Sequence, residues 1–209
     1  MSSSVVVIDY KTSNIKSVSN MLRKIGVKAL ITSDPEKIRS AEKLILPGIG
    51  AFDAAMGNLA DACLIEPLNE AVLEKQVPIL GICLGLQLFA ESSEEGKMPG
   101  LGWIPGRVLK FNFSSLDRLL PIPHMGWNHV YPAILDHPLF RNIPTPMRFY
   151  FVHSYHFACG SRTHIAAATD YGYEVTCAVV KDNIWGVQFH PEKSHKYGMQ
   201  LLRNFVEHA

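Results

Sequence analysis

The segment "PILGICLGLQLF", from Pro78 to Phe89, decides the fold. Its apolar run at residues 79–82 is typical of a strand that is covered on both faces of a sheet. Cys83 and a glycine follow this run, and residues 86–91 predict a helix. A sharp turn from a buried strand into a helix is typical of α/β sheets, in which ligands collect at the carboxyl ends of the strands. We therefore expect Cys83 to lie at the functional edge of such a sheet.

The rest of the chain shows the same alternation of strands and helices. Strands are predicted at 5–8, 29–31, 44–46 and 77–82, and helices at 15–25, 35–41, 52–61 and 65–75. After about residue 105, strands are predicted at 108–111, 127–130, 148–152, 164–169, 175–180 and 184–189, before a closing helix at 197–208. These patterns predict an α/β fold whose central sheet is mostly parallel, with an antiparallel extension.

Length and charge limit the class of protein. A chain of 209 residues predicts one domain spanning residues 1–209. The 20 Lys and Arg residues nearly balance the 19 Asp and Glu residues, so the formal charge is +1. This balance gives no electrostatic basis for binding nucleic acid or an anionic membrane. A small or neutral substrate fits the composition better.

The cysteines and the first residues indicate a reducing compartment. Four cysteines, at positions 63, 83, 159 and 177, are scattered, with no C-x-x-C pair and no histidine spacing suited to zinc. We therefore expect no disulfide, no metal and no cofactor. The segment "MSSSVVVIDY" reaches Asp9 after only four apolar residues, too few for a signal peptide or a membrane span. The cytoplasm is the expected location.

The surroundings of Cys83 favour a reactive thiol. Gly81 and Gly85 flank it and remove the Cβ atoms that would clash in a strained strand-to-helix turn, as in the elbow of G-x-S-x-G hydrolases. The N-terminus of the following helix favours a thiolate and can bind an oxyanion. The alternative is a small buried apolar residue, as most free cysteines are.

The segment "VQFHPEKS" supplies a base and a carboxylate at another strand end. In a Cys/His/acid arrangement, the imidazole of His190 would take the thiol proton and Glu192 would hold the ring in the right tautomer. We expect an extended segment here, in which residues two apart point to the same side. The alternative is an ordinary polar strand end.

A third strand end, "ILPGIGAF", carries Gly48 and Gly50 before a predicted helix. Acyl transfer needs N–H donors directed at the developing oxyanion, and a glycine-rich loop brings backbone close enough to provide them. The alternative is a plain turn before a helix.

These residues resemble a known family. "GICLGLQ" is similar to the G-x-C-x-G-x-Q elbow of class I, or triad, glutamine amidotransferases, and "HPE" is similar to the rest of their triad. The resemblance covers essentially the whole chain and implies their three-layer α/β fold, with helices on both faces of the sheet. Within the family, the segments "PGIGAF", "PHMGWN", "YFVHSY" and "GVQFHPEKS" resemble HisH, the glutaminase subunits of imidazole glycerol phosphate synthases. "PHMGWN", at residues 123–128, is the discriminating segment.

The resemblance implies roles for particular residues. Cys83 would be the nucleophile, His190 the general base and acid, and Glu192 the orienting carboxylate. The oxyanion hole would combine the N–H of Leu84 with one from Ile49 or Gly50, after that loop reorients. Glutamine would be hydrolysed to glutamate and ammonia through a thioester. It would be bound by Gly50 and by three further residues: Gln87, Ser154 and Tyr155.

The resemblance also implies a partner. In the family a HisF-type (β/α)₈-barrel cyclase forms a heterodimer with the glutaminase and uses the ammonia to make imidazole glycerol phosphate and aminoimidazole carboxamide ribotide in histidine biosynthesis. Six positions of this chain match ones that face the cyclase: Asn14, Met125, Trp127, Asn128, Tyr150 and Lys181.

One segment departs from the family pattern. Where the family has D-Y-G-x-G-N, this chain has "DYKTSN", with Lys11 and Ser13 in place of the two glycines. Three alternatives therefore stay open beside the main prediction. The chain could supply ammonia to a surface-sugar-modifying enzyme, act alone as a γ-glutamyl cysteine hydrolase, or serve as an inert subunit that only binds and regulates a barrel.

Overall fold

The computed structural model describes residues 5–114, 119–134 and 136–209. The first half alternates strands and helices, as predicted. Its elements are β1 (Val5–Ile8), α1 (Ile15–Lys24), β2 (Ala29–Thr32), α2 (Pro35–Arg39), β3 (Lys43–Gly48), α3 (Phe52–Asp61), α4 (Ile65–Asn69), β4 (Ile79–Cys83) and α5 (Leu84–Gln87). A π-helical stretch, Glu70–Glu74, continues α4.

The second half is richer in strands. Its elements are β5 (Ser92–Ser93), β6 (Gly106–Lys110), β7 (His124–His129), β8 (Tyr131–Pro132), β9 (Arg148–His153), β10 (Tyr155–Cys159), β11 (Ile165–Asp170), β12 (Glu174–Lys181), β13 (Ile184–Val187) and α6 (His195–His208). Short 3₁₀ turns lie at Pro138–Phe140, Arg162–His164 and Pro191–Lys193.

An eight-stranded sheet forms the centre, in the order β2-β1-β3-β4-β13-β12-β11-β8. Strands β2, β1, β3, β4 and β13 run parallel, while β12, β11 and β8 pair antiparallel. The prediction of a mostly parallel sheet with an antiparallel extension is thus confirmed. Two smaller sheets, β10-β6-β5 and β7-β9, lie outside it.

Helices cover both faces of the central sheet, because alternate strand residues point to opposite sides. Val6 and Ile8 of β1 pack in one apolar core with residues of α3 and α4. Val5 and Val7 pack in the other core with residues of α1 and α6. These are the three layers that the family resemblance implied. Among the described residues, no helix combines the length and the apolar character needed to cross a bilayer.

Several local predictions were wrong. The helix predicted at 86–91 begins earlier, at Leu84 directly after Cys83, and ends at Gln87. The strand predicted at 184–189 does not extend the antiparallel part: a tight turn after β12 reverses the chain, so β13 returns parallel to β4. The strands predicted at 108–111, 127–130 and 148–152 are present as β6, β7 and β9, but they lie in the two smaller sheets, which the sequence did not distinguish from the central one. Periodicity identifies strands, but their partners depend on distant residues.

The turn after β4 depends on glycine. Cys83 has φ 55° and ψ −107°, a left-handed conformation that non-glycine residues rarely adopt. A Cβ at Gly85 would collide with the backbone carbonyl of Leu46 on β3, and one at Gly81 would lie 2.7 Å from the ring of Phe89. The short α5 can therefore pack directly against the sheet only because both positions lack a side chain.

We predict that Gly85→Ala destabilises the protein by about 3 kcal/mol or more, because neither the Leu46 backbone nor the sheet can move aside. Gly57→Ala in α3 is the matched control, since a Cβ there meets no atom within 4 Å. Alanine at this helical position is expected to be neutral or to stabilise by up to about 1 kcal/mol. Urea unfolding of both variants tests this, and equal midpoints would contradict the packing argument.

Candidate active site

Three parallel strands end together at the candidate site. Cys83 pairs with Gly48 at the ends of β4 and β3, and β13 runs parallel on the other side of β4. His190 follows β13 by three residues and so reaches the same edge. Residues separated by more than 100 positions in sequence are therefore brought together by strand register.

His190 and Glu192 form a buried pair. The Nδ1 atom of His190 lies 2.7 Å from a carboxylate oxygen of Glu192, and both side chains are fully buried. Because the carboxylate only accepts, Nδ1 carries a proton, and in the neutral ring Nε2 has the lone pair. Nε2 is buried and has no hydrogen-bond partner among the residues that the structure describes. The two residues meet across the 3₁₀ turn Pro191–Lys193, so the extended segment expected from sequence was wrong.

The electrostatics favour charged forms of this pair. Burial lowers the pKa of His190, but the neighbouring Cys83 and the bond to Glu192 outweigh it, so the pKa is raised. Burial raises the pKa of Glu192, but hydrogen bonds from His190 and Asn14 bring it below its ordinary value. An imidazolium can therefore form beside a carboxylate that stays ionised, as proton transfer from a thiol requires.

Asn14, in the loop between β1 and α1, bonds to the acid of this pair. Its side-chain amide donates to Glu192 at 3.1 Å, and the residue is buried. Asn14 was predicted to face a partner, whereas in the structure its side chain points inward and holds the acid. Buried carboxylates need such donors, and the sequence pattern alone does not reveal which one is used.

The loop after β1, at residues 9–14, also contacts the glycine-rich loop at residues 48–50. The hydroxyl of Tyr10 donates to the carbonyl of Pro47 at 2.8 Å, and the backbone N–H of Ile49 donates to the hydroxyl of Thr12 at 3.2 Å. Gly50 has φ 107°, which favours glycine. Leu84 is the first residue of α5, where backbone N–H groups have no partner within the helix. Of the predicted oxyanion donors, the N–H of Leu84 is therefore not used within the helix, whereas the N–H of Ile49 is bonded to Thr12.

A cavity of about 420 Å³ opens at these strand ends. It is lined by all the residues predicted for the oxyanion hole and for substrate binding, together with Cys83: Ile49, Gly50, Leu84, Gln87, Ser154 and Tyr155. Glu95, His153 and Lys193 also line it. Glu95 accepts from the N–H of Phe52 at 2.8 Å, which fixes its carboxylate at the rim. Sequence analysis missed Glu95, because nothing in "ESSEEGK" distinguishes one acidic residue from the next.

Comparison with known proteins is consistent with this geometry. Residues 6–209 match the family described as glutamine amidotransferase class-I. The imidazole glycerol phosphate synthase subunit HisH 2 of Methanococcus maripaludis is 50% identical over 205 residues, covering 98% of this chain and 100% of that protein. The protein of the same name from Pseudomonas aeruginosa is 50% identical over 203 residues, covering 97% and 98%. The chain belongs to the HisH family of class I glutamine amidotransferases. A solved structure, PurLQS from Thermotoga maritima, shares the fold with a TM-score of 0.72 at 18% identity, covering 99% and 98% of the two chains.

Within this HisH-family site, Gln87 is bound by protein groups. Its amide nitrogen donates to the carbonyl of Tyr155 at 2.9 Å and to the side-chain oxygen of Gln188 at 3.0 Å. The amide nitrogen of Gln188 lies 3.7 Å from the Cys83 sulfur. Sequence analysis missed Gln188, although it lies two residues before His190 in "GVQFHPEKS".

Two buried histidines support the other side of the cavity. The Nδ1 atom of His153 lies 2.8 Å from the carbonyl oxygen of Tyr155, and because a carbonyl only accepts, Nδ1 is the donor. Its Nε2 faces Nδ1 of His124 at 3.2 Å, and Nε2 of His124 faces the amide of Asn128 at 3.2 Å. Burial lowers the pKa of His153 to about 3 and that of His124 to about 4. Both rings are therefore neutral in the folded HisH-family chain.

An aromatic surface lies on the β7-β9 ribbon beside the cavity. Met125 is 61% and Trp127 42% exposed. Trp127 stacks on His195 at 5.6 Å and meets the edge of Tyr150 at 6.3 Å. Asn128 is half-buried and donates to the carbonyl of Asp170 at 2.7 Å, so its amide points inward. Met125 and Trp127 therefore present the apolar part of this surface.

Lys181, which was also predicted to face a partner, lies away from this surface. Lys181 lies at the end of the sheet opposite Cys83. It pairs with Ile184 of β13, and Ile184 in turn pairs with Ile79 at the start of β4. Its ammonium group donates to the carbonyl of Trp103 at 2.9 Å. The lysine beside the cavity is Lys193, whose ammonium lies 5.7 Å from the centre of the Tyr150 ring.

We predict that stability falls on acidification because of His124 and His153. Their folded pKa values lie below the ordinary value of 6.5, so the unfolded chain binds more protons and stability is lost as the pH falls from 6.5 towards 4. Thermal unfolding between about pH 7 and pH 5 should show a decrease in Tm of several degrees. A His124→Gln/His153→Gln variant should show a much flatter pH dependence, whatever its absolute Tm. Identical slopes would contradict neutral buried rings.

Proposed function

We propose that this chain is the glutaminase subunit of an imidazole glycerol phosphate synthase, acting as one domain of 209 residues. It would hydrolyse glutamine through a thioester on Cys83 and deliver ammonia to a HisF-type cyclase. The observation that carries this proposal is the arrangement at the cavity: Cys83 lines it and interacts with a buried His190 that is already bonded to Glu192.

The cavity lining suits a free amino acid. The carboxylate of Glu95 would attract the α-ammonium group of glutamine, and the oxygen of Gln87 would accept from it, since the Gln87 nitrogen is occupied. The backbone of Ser154 and Tyr155 would position the α-carboxylate. The substrate side-chain amide would then extend towards Cys83 and the loop at Gly50.

The chemistry follows from the proton positions. Nε2 of His190 takes the thiol proton, and the sulfur adds to the amide carbon of glutamine to give a tetrahedral oxyanion. The carbon–nitrogen bond breaks as the imidazolium returns the proton to the leaving nitrogen, which gives ammonia and a γ-glutamyl thioester. His190 then takes a proton from water as the new carbon–oxygen bond forms, the carbon–sulfur bond breaks, the proton passes from His190 to the departing sulfur, and glutamate is released.

The proposed partner is a HisF-type cyclase that docks over the cavity as the second subunit of a heterodimer. Ammonia protonated in bulk water is no longer a nucleophile, so the site needs a cover. The exposed Met125 and Trp127 beside the cavity support such docking, because a hydrolase acting alone would gain nothing from them. The cyclase would combine the ammonia with its nucleotide to release imidazole glycerol phosphate and aminoimidazole carboxamide ribotide, in the cytoplasm.

The unusual "DYKTSN" segment is compatible with this function. Tyr10, Thr12 and Asn14 bond to the site, whereas Lys11 and Ser13 are exposed. Lys11 has φ 68°, so it keeps a backbone conformation that suits glycine, the residue the family has there. The substitutions thus alter the outer side of the loop and leave its inner contacts in place.

We propose further that the site is gated. The N–H of Ile49, a candidate for the second oxyanion donor, donates instead to the Thr12 hydroxyl. Loss of one such donor costs on the order of 10²–10³ in rate. Cyclase binding, and above all the filled acceptor site, would favour the loop conformation that releases this N–H, to the extent of its differential affinity for that conformation.

Cys83→Ala is expected to abolish glutamine hydrolysis, because the thioester would form on the Cys83 sulfur that lines the cavity. The same variant in complex with the cyclase should still turn over with high ammonium salt, better at higher pH where more ammonia is unprotonated. Cys63→Ala is the control, since Cys63 is exposed and outside the cavity. Coupled assays of glutamate release and cyclase product test this. Substantial glutaminase activity in Cys83→Ala would end the assignment of the nucleophile.

Thr12→Val is expected to raise the glutaminase turnover of the free chain roughly three- to tenfold, because the Ile49 N–H loses the acceptor that holds it. Thr163→Val is the control, because Thr163 is exposed and its hydroxyl bonds to the neighbouring Ser161. In the complex with cyclase and a nucleotide analogue, the difference from wild type should shrink. Equal wild-type rates in the free chain, the complex and the complex with analogue would refute gating.

A further inference from the structure

Gln188 is a fully buried polar residue that the triad mechanism leaves without a role. It lies between the end of β13 and His190, and its backbone N–H donates to the carbonyl of Cys177 at 2.9 Å. Its side chain extends to the Cys83 sulfur. A buried amide is costly unless both its oxygen and its nitrogen find partners, so the partners of Gln188 indicate what it does.

One carbonyl fixes the direction of the hydrogen bonds. The Tyr155 carbonyl can only accept, so the Gln87 atom 2.9 Å away is the amide nitrogen. That nitrogen also lies 3.0 Å from Gln188, which must therefore present its oxygen. The nitrogen of Gln188 consequently faces the Cys83 sulfur, 3.7 Å away, as a donor. A rotated amide would place two donors against each other and leave the sulfur facing an oxygen.

The anchoring leaves this donor little freedom. Gln87 is 5% exposed and Gln188 0% exposed, so water does not compete for the chain of bonds. The Tyr155 carbonyl is held from its other side by His153 at 2.8 Å. The N–H of Gln188 therefore stays directed at the sulfur whether or not glutamine is present.

We propose that Gln188 stabilises the Cys83 thiolate by donating an N–H bond to it, an inference that rests on the proposed glutaminase function. Bonds to charged acceptors are stronger than those to neutral ones, so the bond is strongest when the thiol proton is on His190. It weakens when the sulfur becomes part of the neutral thioester. It strengthens again when the carbon–sulfur bond breaks, so Gln188 assists both formation of the nucleophile and departure of the sulfur.

Gln188→Met tests this, because methionine has a similar shape and no N–H donor. Alkylation of Cys83 by iodoacetamide is followed across pH in the free full-length chain, using peptide mass spectrometry to separate it from the exposed Cys63. The rate profile for Cys83 should move to higher pH, and that for Cys63 should not move. Glutamine turnover in the complex with cyclase and nucleotide should fall roughly ten- to a hundredfold, the size expected for a bond to a charged group.

Two further variants separate this role from a structural one. Gln200→Met on α6, where the amide bonds within the helix to Asn204, is the matched control and should leave the Cys83 profile unchanged. Gln87→Met removes the anchor of Gln188 and should shift the profile in the same direction. In the double variant the two shifts should not add, because Gln87 acts on the sulfur through Gln188.

The inference fails if the Cys83 profile of a folded Gln188→Met protein matches wild type, or if the shifts from Gln87→Met and Gln188→Met add fully. Either result would leave the glutaminase function intact, provided that wild type releases glutamate. A wild-type chain whose complex hydrolyses no glutamine would instead overturn the proposed function. The alkylation and turnover measurements thus report on the two claims separately.

Discussion

The rest of the site depends on the left-handed backbone of Cys83, at φ 55°, between β4 and α5. Such a conformation costs about 1–3 kcal/mol and persists only when its surroundings fix it. Here two glycines allow close packing on either side of Cys83: Gly85 lies against the Leu46 carbonyl and Gly81 against the ring of Phe89. This conformation places the thiol both at the N-terminus of α5 and in the lining of the cavity. A strand that ended with regular backbone geometry would not do both.

Three strand ends supply the groups around this thiol. The loop after β1 holds the acid through Asn14 and the oxyanion loop through Thr12, while the loop after β3 contributes Ile49. The segment after β13 contributes His190 and its carboxylate partner. Because β12 and β13 form a hairpin, the chain returns in the direction that brings this segment to the Cys83 edge. The antiparallel part of the sheet is thus what allows a parallel strand to deliver the base.

The sequence predicted local features well and long-range contacts less well. β1 and α3 have the predicted bounds, because their apolar patterns are strong and their ends clear. The membership of β13 in the parallel part was missed, since pairing depends on distant strands. Asn14 and Lys181 were placed by pattern alone: one points inward to Glu192, and the other lies at the opposite end of the sheet. Glu95 and Gln188 show their partners only in three dimensions, whereas the catalytic roles of Cys83, His190 and Glu192 stay predictions for experiment.

The most direct test of the account is to look for the covalent intermediate. The chain, in complex with its cyclase and nucleotide, would be mixed with glutamine, quenched in acid during turnover, digested and analysed by mass spectrometry. The account predicts a γ-glutamyl group on the peptide that contains Cys83, present while glutamine remains and absent once it is consumed. Steady release of ammonia with no acyl group on Cys83, or with the group on another cysteine, would contradict it.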